Sequence, residues 1–106
     1  MKQFPEINTR ELVGRRASAR VTQDEGRRFC AIRWQRGDTA IVQRCCWVKS
    51  ETRMYVVGLI EQMSAGGGYE WGHYWTALDG TQSGPFHGIR AALEDFVKWQ
   101  TRRTRP

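Results

Sequence analysis

The sequence predicts an α+β domain, in which an antiparallel sheet of four or five strands packs one face against a C-terminal helix. Between residues 17 and 78, apolar residues alternate with polar ones in short segments separated by polar turns, a pattern typical of an antiparallel meander. After residue 86, apolar residues follow the three- and four-residue spacing of an amphipathic helix. The 106 residues, 40% of them hydrophobic, suffice for one core, so we expect a single domain over residues 1–106.

The first sixteen residues are expected to precede the sheet. Residues 1–8 are predicted to form an extended arm, because Pro5 disfavours a helix there. A short helix is predicted over residues 8–16, with Asn8 or Thr9 as its N-cap.

Five segments have the alternation of strands. The first segment starts at Ala17, and the other four cover residues 28–35, 39–49, 53–62 and 69–78. Turns are predicted between them at residues 24–26, 36–38, 50–52 and 64–68. In the segment 69–78, Trp71 and Trp75 share one face and Tyr74 lies on the other. One core layer cannot account for aromatic side chains on both faces, so we expect part of this set to cover an edge or to meet a partner.

Residues 79–85 are predicted to be a loop, because glycine, proline and small polar residues dominate them. The helix is predicted over residues 87–102, with Phe86 packed against its first turn. Lys98, Arg102 and Arg103 suit the negative end of the helix dipole, and residues 103–106 are expected to form a basic tail.

Several functional classes lack support in the sequence. The first residues hold no apolar stretch of signal-peptide length and no window approaches ~20 apolar residues, so we expect a cytosolic protein with no membrane partner. Gly66-Gly67-Gly68 is not followed by Lys-Ser/Thr or by a helix, which favours a hairpin link over a phosphate loop. The acidic pair Glu94 and Asp95 is expected to be solvated. No catalytic residue, cofactor or metal site is predicted.

The three cysteines, Cys30, Cys45 and Cys46, are an odd number that includes one adjacent pair, which makes a poor disulfide framework. We interpret them as small buried hydrophobic residues. The alternative is a reactive cysteine served by His73 or His87, in which case Cys45→Ser or Cys46→Ser would remove activity while the fold survives.

Charge is unevenly distributed along the chain. The net charge is +6, and 14 of the 17 basic residues are arginine. Residues 1–53 carry twelve basic and six acidic side chains, whereas residues 54–101 carry two basic and five acidic ones. This segregation indicates an anionic partner. The candidate binding residues are Arg15, Arg16, Arg20, Arg27, Arg28, Arg33 and Arg44, with Trp47 and Tyr74 as candidate exposed aromatic residues.

Guanidinium groups pair with phosphates and aromatic rings stack on bases, so the sequence favours stoichiometric binding of nucleic acid or of a nucleoprotein complex, without turnover. The competing hypothesis is a protein-inhibitor or interaction module that works through the aromatic strand 69–78. An acidic protein surface is the alternative partner for the arginines. Exposed sheet edges leave a homodimer open.

The aromatic stretch 71–80, followed by Gly84-Pro85-Phe86 and the helix residues Ala91, Ala92 and Phe96, resembles many small uncharacterised proteins of bacterial phages and plasmids. This resemblance implies a compact accessory protein that acts by binding, such as a regulator or an anti-CRISPR-like inhibitor of host defence. The succession of strands and helix is also similar, more distantly, to three-stranded DNA-binding domains of the AP2 and integrase-arm type. Those domains lack the basic first half of this chain, and no binding residue is transferred from them.

Overall fold

A computed structural model describes residues 12, 15–23, 27–33, 39–48 and 51–104, with the side chains of 46–48, 51, 52 and 104 left undescribed. Six strands precede one helix in these ranges. They are β1 (Ala19–Thr22), β2 (Arg28–Arg33), β3 (Thr39–Val48), β4 (Glu51–Met63), β5 (Gly72–Ala77), β6 (Gln82–Phe86) and α1 (Ile89–Thr104). Each strand pairs antiparallel with the next, in the order β1-β2-β3-β4-β5-β6. The predicted α+β meander with a C-terminal helix is confirmed.

The predicted number of four or five strands is wrong, because β6 lies in the segment 79–85 that was expected to be a loop. Its sequence, Gln-Ser-Gly-Pro-Phe, has neither alternation nor strong strand formers. The strand exists through backbone pairing with β5, and it lies at the sheet edge, where a proline costs no ladder hydrogen bond. Gly84 is required there, because a Cβ atom at this position would collide with the ring of Tyr74.

The sheet curves around the helix as a half-barrel. In a flat sheet β1 and β6 would lie about 24 Å apart, five spacings of ~4.8 Å, whereas an α-helix is only about 10–12 Å wide. Helix α1 nevertheless contacts β1 and β2 on one side and β5 and β6 on the other. The concave surface that holds the helix is called the inner face below, and the opposite surface the outer face.

Both faces of the sheet carry a core, because alternate side chains of a strand point to opposite faces and both sets include buried apolar residues here. On the inner face, the buried residues of the sheet pack against the helix residues Ala92, Leu93, Phe96 and Val97. These sheet residues are Ala19, Phe29, Ala31, Ala40, Val42, Ile60, Trp75 and Ala77. On the outer face, a second cluster contains Cys30, Ile32, Ile41, Cys45 and Leu59, with Leu12 packed on it. The segment before β1 therefore contributes to the outer core.

Other predictions differ from the structure by a few residues or lie outside the described residues. Helix α1 runs over 89–104 and not 87–102, so Arg103 belongs to the helix and not to a tail. The glycine run 66–68 joins β4 to β5, as predicted for a hairpin link. The predicted arm 1–8, most of the predicted helix 8–16 and residues 105–106 lie outside the described residues.

Two of the three thiols have the predicted environment. Cys30 and Cys45 are buried in the outer core, as expected for small hydrophobic residues, and the side chain of Cys46 lies outside the described residues. In the part of the chain that the structure describes, no helix has the length and apolar character needed to cross a membrane.

Candidate functional site

Alternate strands of a meander run in opposite directions, so the sheet has two ends with different residues. One end combines the last residues of β1, β3 and β5 with the first residues of β2, β4 and β6. Helix α1 also terminates at this end. The Gln23 side chain, just after β1, donates to Thr101 Oγ1, and Arg103 pairs with Asp79 in the β5–β6 turn.

Seven basic residues lie on the parts of the strands, turn and helix that point to this end of the sheet, which we call the basic end. They are Arg27, Arg28, Arg44, Arg53, Lys98, Arg102 and Arg103. Arg44 and Arg53 lie on the inner face, since Arg44 is directly opposite Tyr55 and Arg53 is two residues before it. Arg28 lies on the outer face with its partner Cys45. The positive charge therefore extends over both faces and the end of the helix.

Two described carboxylates lie near these cations, and both are engaged. Asp79 pairs with Arg103 and also accepts the Thr81 backbone N–H at 2.9 Å. The side chain of Asp95 accepts a hydrogen bond from Trp75 Nε1 at 2.8 Å, so it is half-buried and not solvated as expected. Within the described ranges, the other ion pair joins Arg90 and Glu94, nearer the start of the helix. Most of the positive charge of the basic end is therefore not neutralised by described carboxylates.

The arginines predicted from the sequence do not form one site. Arg27, Arg28 and Arg44 lie at the basic end. Arg33 closes β2 at the opposite end, where Arg15 donates to its carbonyl oxygen at 3.2 Å. Arg16, next to Arg15, is exposed, and so is Arg20 on the outer face of the edge strand β1.

The prediction that Tyr74 is exposed is wrong. Its ring is only 7% exposed, and its hydroxyl donates to the Glu70 carbonyl at 3.0 Å and accepts the Glu70 N–H at 3.2 Å. Tyr69 packs edge-on against the same ring, because the segment between β4 and β5 folds over the outer face. The side chain of Trp47 lies outside the described residues. The more exposed large aromatic residues are Trp71 and Tyr55, at 57% and 42%.

Sequence reasoning missed Arg53 and Tyr55 as candidate site residues, and it assigned Lys98, Arg102 and Arg103 only to the helix dipole. Alternation alone places Arg53 and Tyr55 on one face. The signal that was lacking is the direction of the helix, since only the tertiary contacts show that its last turn lies at the same end of the sheet as these two residues.

A cleft of about 250 Å³ opens on the inner face at the basic end. It is lined by Val57, Ala77, Leu78, Asp79, Trp99, Gln100 and Arg103. Trp99 packs against Trp75, with ring centres 5.0 Å apart and planes tilted by 41°, and the Arg103 guanidinium lies 5.1 Å from the Trp99 ring centre. The cleft therefore has apolar surface and a cation held over one aromatic wall.

A second arginine–aromatic pair lies beside the cleft. The guanidinium of Arg44 lies 5.7 Å from the ring centre of Tyr55. Its Nε is buried and has no hydrogen-bond partner among the described residues. Val57, two residues after Tyr55, lines the cleft together with Trp99 and Arg103, whereas Arg44 and Tyr55 lie outside its lining.

The carboxyl group of Asp79 keeps its negative charge at neutral pH and well below it. The hydrogen bonds from the Arg103 guanidinium and from Thr81 lower the pKa of this carboxyl from 3.8 to about 2. Asp79 is therefore ionised at neutral pH and holds Arg103 above Trp99.

The chemistry that this arrangement supports is recognition of anions and planar rings. Guanidinium groups bind phosphate or carboxylate oxygens, and aromatic rings next to them stack on flat apolar groups. In the described ranges, no group of three or more histidine, cysteine, aspartate or glutamate side chains has the arrangement of a metal site.

No protein-family model matches the chain, and neither a curated protein nor a solved structure is significantly similar to it.

Proposed function

We propose that this protein binds nucleic acid, free or within a nucleoprotein complex, stoichiometrically and without turnover, through the basic end. The observation that carries the proposal is the convergence of seven basic side chains from β2, β3, β4, α1 and the β1–β2 turn at one end of the sheet. The nearby described carboxylates, Asp79 and Asp95, already have partners.

Binding of a polyanion by such a surface follows from counterion release. Each phosphate that an arginine or lysine neutralises releases condensed cations, so affinity falls steeply as salt is added. Guanidinium groups add bidentate hydrogen bonds that a diffuse positive charge does not provide. Arg53 and Arg102 are both exposed, so both can contact phosphates without a change of fold.

The test is fluorescence anisotropy with labelled single-stranded DNA, duplex DNA and RNA at about 50 and 200 mM salt, a range over which six to ten phosphate contacts lose roughly 10³- to 10⁵-fold in affinity. The double variant Arg53→Ala/Arg102→Ala is expected to weaken binding and to reduce the slope of log K against log salt by about 0.7–0.9 for each contact removed. The matched control is Arg16→Ala/Arg33→Ala, which removes the same charge outside the basic end.

Two results contradict the proposal. Absence of binding to any nucleic acid at 50 mM salt would exclude nucleic acid as the partner. Equal losses in the two double variants would show that net charge, and not the basic end, determines the affinity.

A second candidate function is binding of a host protein, as for an anti-CRISPR-like inhibitor encoded by a phage or plasmid. It is favoured by Tyr69 and Trp71, which are exposed just before β5, at the end of the sheet opposite the basic end. An interface of this kind is less sensitive to salt than phosphate binding, and aromatic residues dominate the energy of many such interfaces. If nucleic acid does not bind, Trp71→Ala is expected to abolish inhibition of a host nuclease in a defence assay, whereas Arg53→Ala/Arg102→Ala leaves it unchanged.

A further inference from the structure

We infer that the ligand is single-stranded, with an unpaired base held where the 250 Å³ cleft lined by Trp99 and Arg103 borders the exposed ring of Tyr55, two residues along β4 from Val57. This inference rests on the proposed nucleic-acid function and names the ligand class that the basic end selects.

The first step is the position of the aromatic rings. Tyr55 is 42% exposed and Trp99 half-buried, and both lie on the inner face next to Val57. Residues two apart on a strand are about 7 Å apart, so Tyr55 lies beside the rim of the cleft that Val57 lines. Trp99 is fixed from behind by Trp75 and Phe96, at centroid distances of 5.0 and 5.9 Å. The cleft therefore has one rigid aromatic wall and one exposed ring at its edge.

The second step is the chemistry of the cleft itself. Its apolar surface comes from Val57, Ala77 and Leu78, and Leu78 is 61% exposed. Its polar rim comes from Asp79, Gln100 and Arg103. A nucleobase has the same division, with apolar ring faces and hydrogen-bonding edges, and bases stack on guanidinium planes as well as on aromatic rings.

The third step concerns the backbone of the ligand. Arg44 and Arg53 follow the inner face away from the cleft, and the described residues offer Arg44 no carboxylate within ion-pair distance. Binding of a phosphate to Arg44 would therefore break no ion pair of this side chain. A base in the cleft and phosphates along β3 and β4 fit one continuous strand.

The fourth step distinguishes single strands from duplexes. In a duplex the ring faces are stacked on one another, and proteins contact only base edges and backbone. The cleft is lined by the ring of Trp99 and borders that of Tyr55, and only an unstacked base can place its ring face against such surfaces. Phosphate contacts alone would not distinguish the two forms.

The experiment compares Tyr55→Ala with wild type on a labelled oligonucleotide, on the same oligonucleotide with abasic sites, and on the duplex. Loss of one stacked base is expected to weaken binding of the single strand by about 5- to 140-fold. In wild type the abasic strand should show a similar loss, and Tyr55→Ala should add little to it. Tyr55→Phe keeps the ring and should bind as wild type, and Tyr69→Ala is the matched control on a tyrosine outside the basic end.

The outcomes separate this inference from the proposed function. If Arg53→Ala/Arg102→Ala weakens binding but duplex binds as tightly as single strand and Tyr55→Ala has no effect, the inference is overturned and the nucleic-acid function stands. If no form of nucleic acid binds, the proposed function itself fails. Thermal unfolding of each variant shows whether a loss of binding comes from a loss of fold.

Discussion

Gly58 lies on β4, where both the neighbouring strand β5 and the helix α1 pack closely against the backbone. A Cβ atom on Gly58 would lie 2.9 Å from the Thr76 carbonyl oxygen and 3.1 Å from Cε2 of Phe96. The Phe96 ring is completely buried, and Phe29 and Trp75 pack edge-on against it, so it has little room to move. We therefore expect Gly58→Ala to force the helix away from β4.

The magnitude follows from two opposing contributions. Overpacking a core costs about 1–3 kcal/mol, whereas replacing glycine by alanine stabilises by about 0.4–1 kcal/mol through the unfolded chain. Taking the middle of each range, a cost of about 2 kcal/mol less a gain of about 0.7 kcal/mol leaves a net loss of about 1.3 kcal/mol, from a total stability of about 5–15 kcal/mol for domains of this kind. At about 4–8 °C per kcal/mol, Tm should fall by at least about 4 °C.

The assay is thermal and urea unfolding followed by circular dichroism. Gly88→Ser is the control, because nothing lies within 4 Å of a Cβ atom at this position and serine is favoured at an N-cap. In a Phe96→Leu background the cost of Gly58→Ala should decrease by about 0.5 kcal/mol or more, though not to zero, since the Thr76 carbonyl remains. A neutral Gly58→Ala variant, or strict additivity with Phe96→Leu, would refute the packing described here.

Three further predictions concern single residues. The pKa of Asp79 is lowered to about 2, so the contribution of this carboxylate to stability is fully present above pH 3.8 and is lost as the pH falls through about 2. An NMR titration of the Asp79 carboxyl measures this pKa, and a midpoint near 3.8 would show that the pair with Arg103 does not form. Gly88 precedes the helix, and its carbonyl oxygen accepts the Ala92 N–H, so this residue is the N-cap. Gly88→Ser is therefore expected to raise the free energy of unfolding by a few tenths of a kcal/mol in urea, and a decrease would contradict this. Cys45 is buried, so in a Cys46→Ser background a thiol reagent should modify it only as fast as the protein unfolds; rapid modification of the native protein would place it at the surface.

Sequence periodicity predicted the strands whose alternate side chains face different environments on the two faces of the sheet. Phe29 and Cys30 face opposite cores, and the alternation of β2 indicates this directly. The strand β6 could not be predicted in this way, because Gln82–Phe86 has no alternation and depends on backbone pairing with β5. A strand of this kind forms because a neighbouring strand offers free backbone groups at the sheet edge, and the local sequence pattern carries no signal of that neighbour.

The candidate site was only partly predictable, for a topological reason. Arg20, Arg28 and Arg33 are close in sequence, yet the β1–β2 hairpin leaves Arg20 in the edge strand and carries Arg33 to the far end of the sheet. Arg53 and Arg102, distant in sequence, lie toward the same end of the sheet, because β4 begins at the end toward which the helix runs. The distribution of charge along the chain predicts an anionic partner. The position of the proposed binding surface depends on strand register and helix direction, which the charge distribution does not contain.

The helix covers a concave surface that is built from strands made earlier during translation. Until Phe96 and its neighbours leave the ribosome, the inner-face residues Phe29, Ile60 and Trp75 have no partner layer and remain open to solvent or to a chaperone. Six hairpin-connected strands can pair locally as they emerge, but the contact between Gln23 and Thr101 joins residues 78 positions apart. Helix docking therefore completes the fold, and because the same event brings Arg102 and Arg103 to the sheet, a nascent chain acquires its full positive surface only when its core closes.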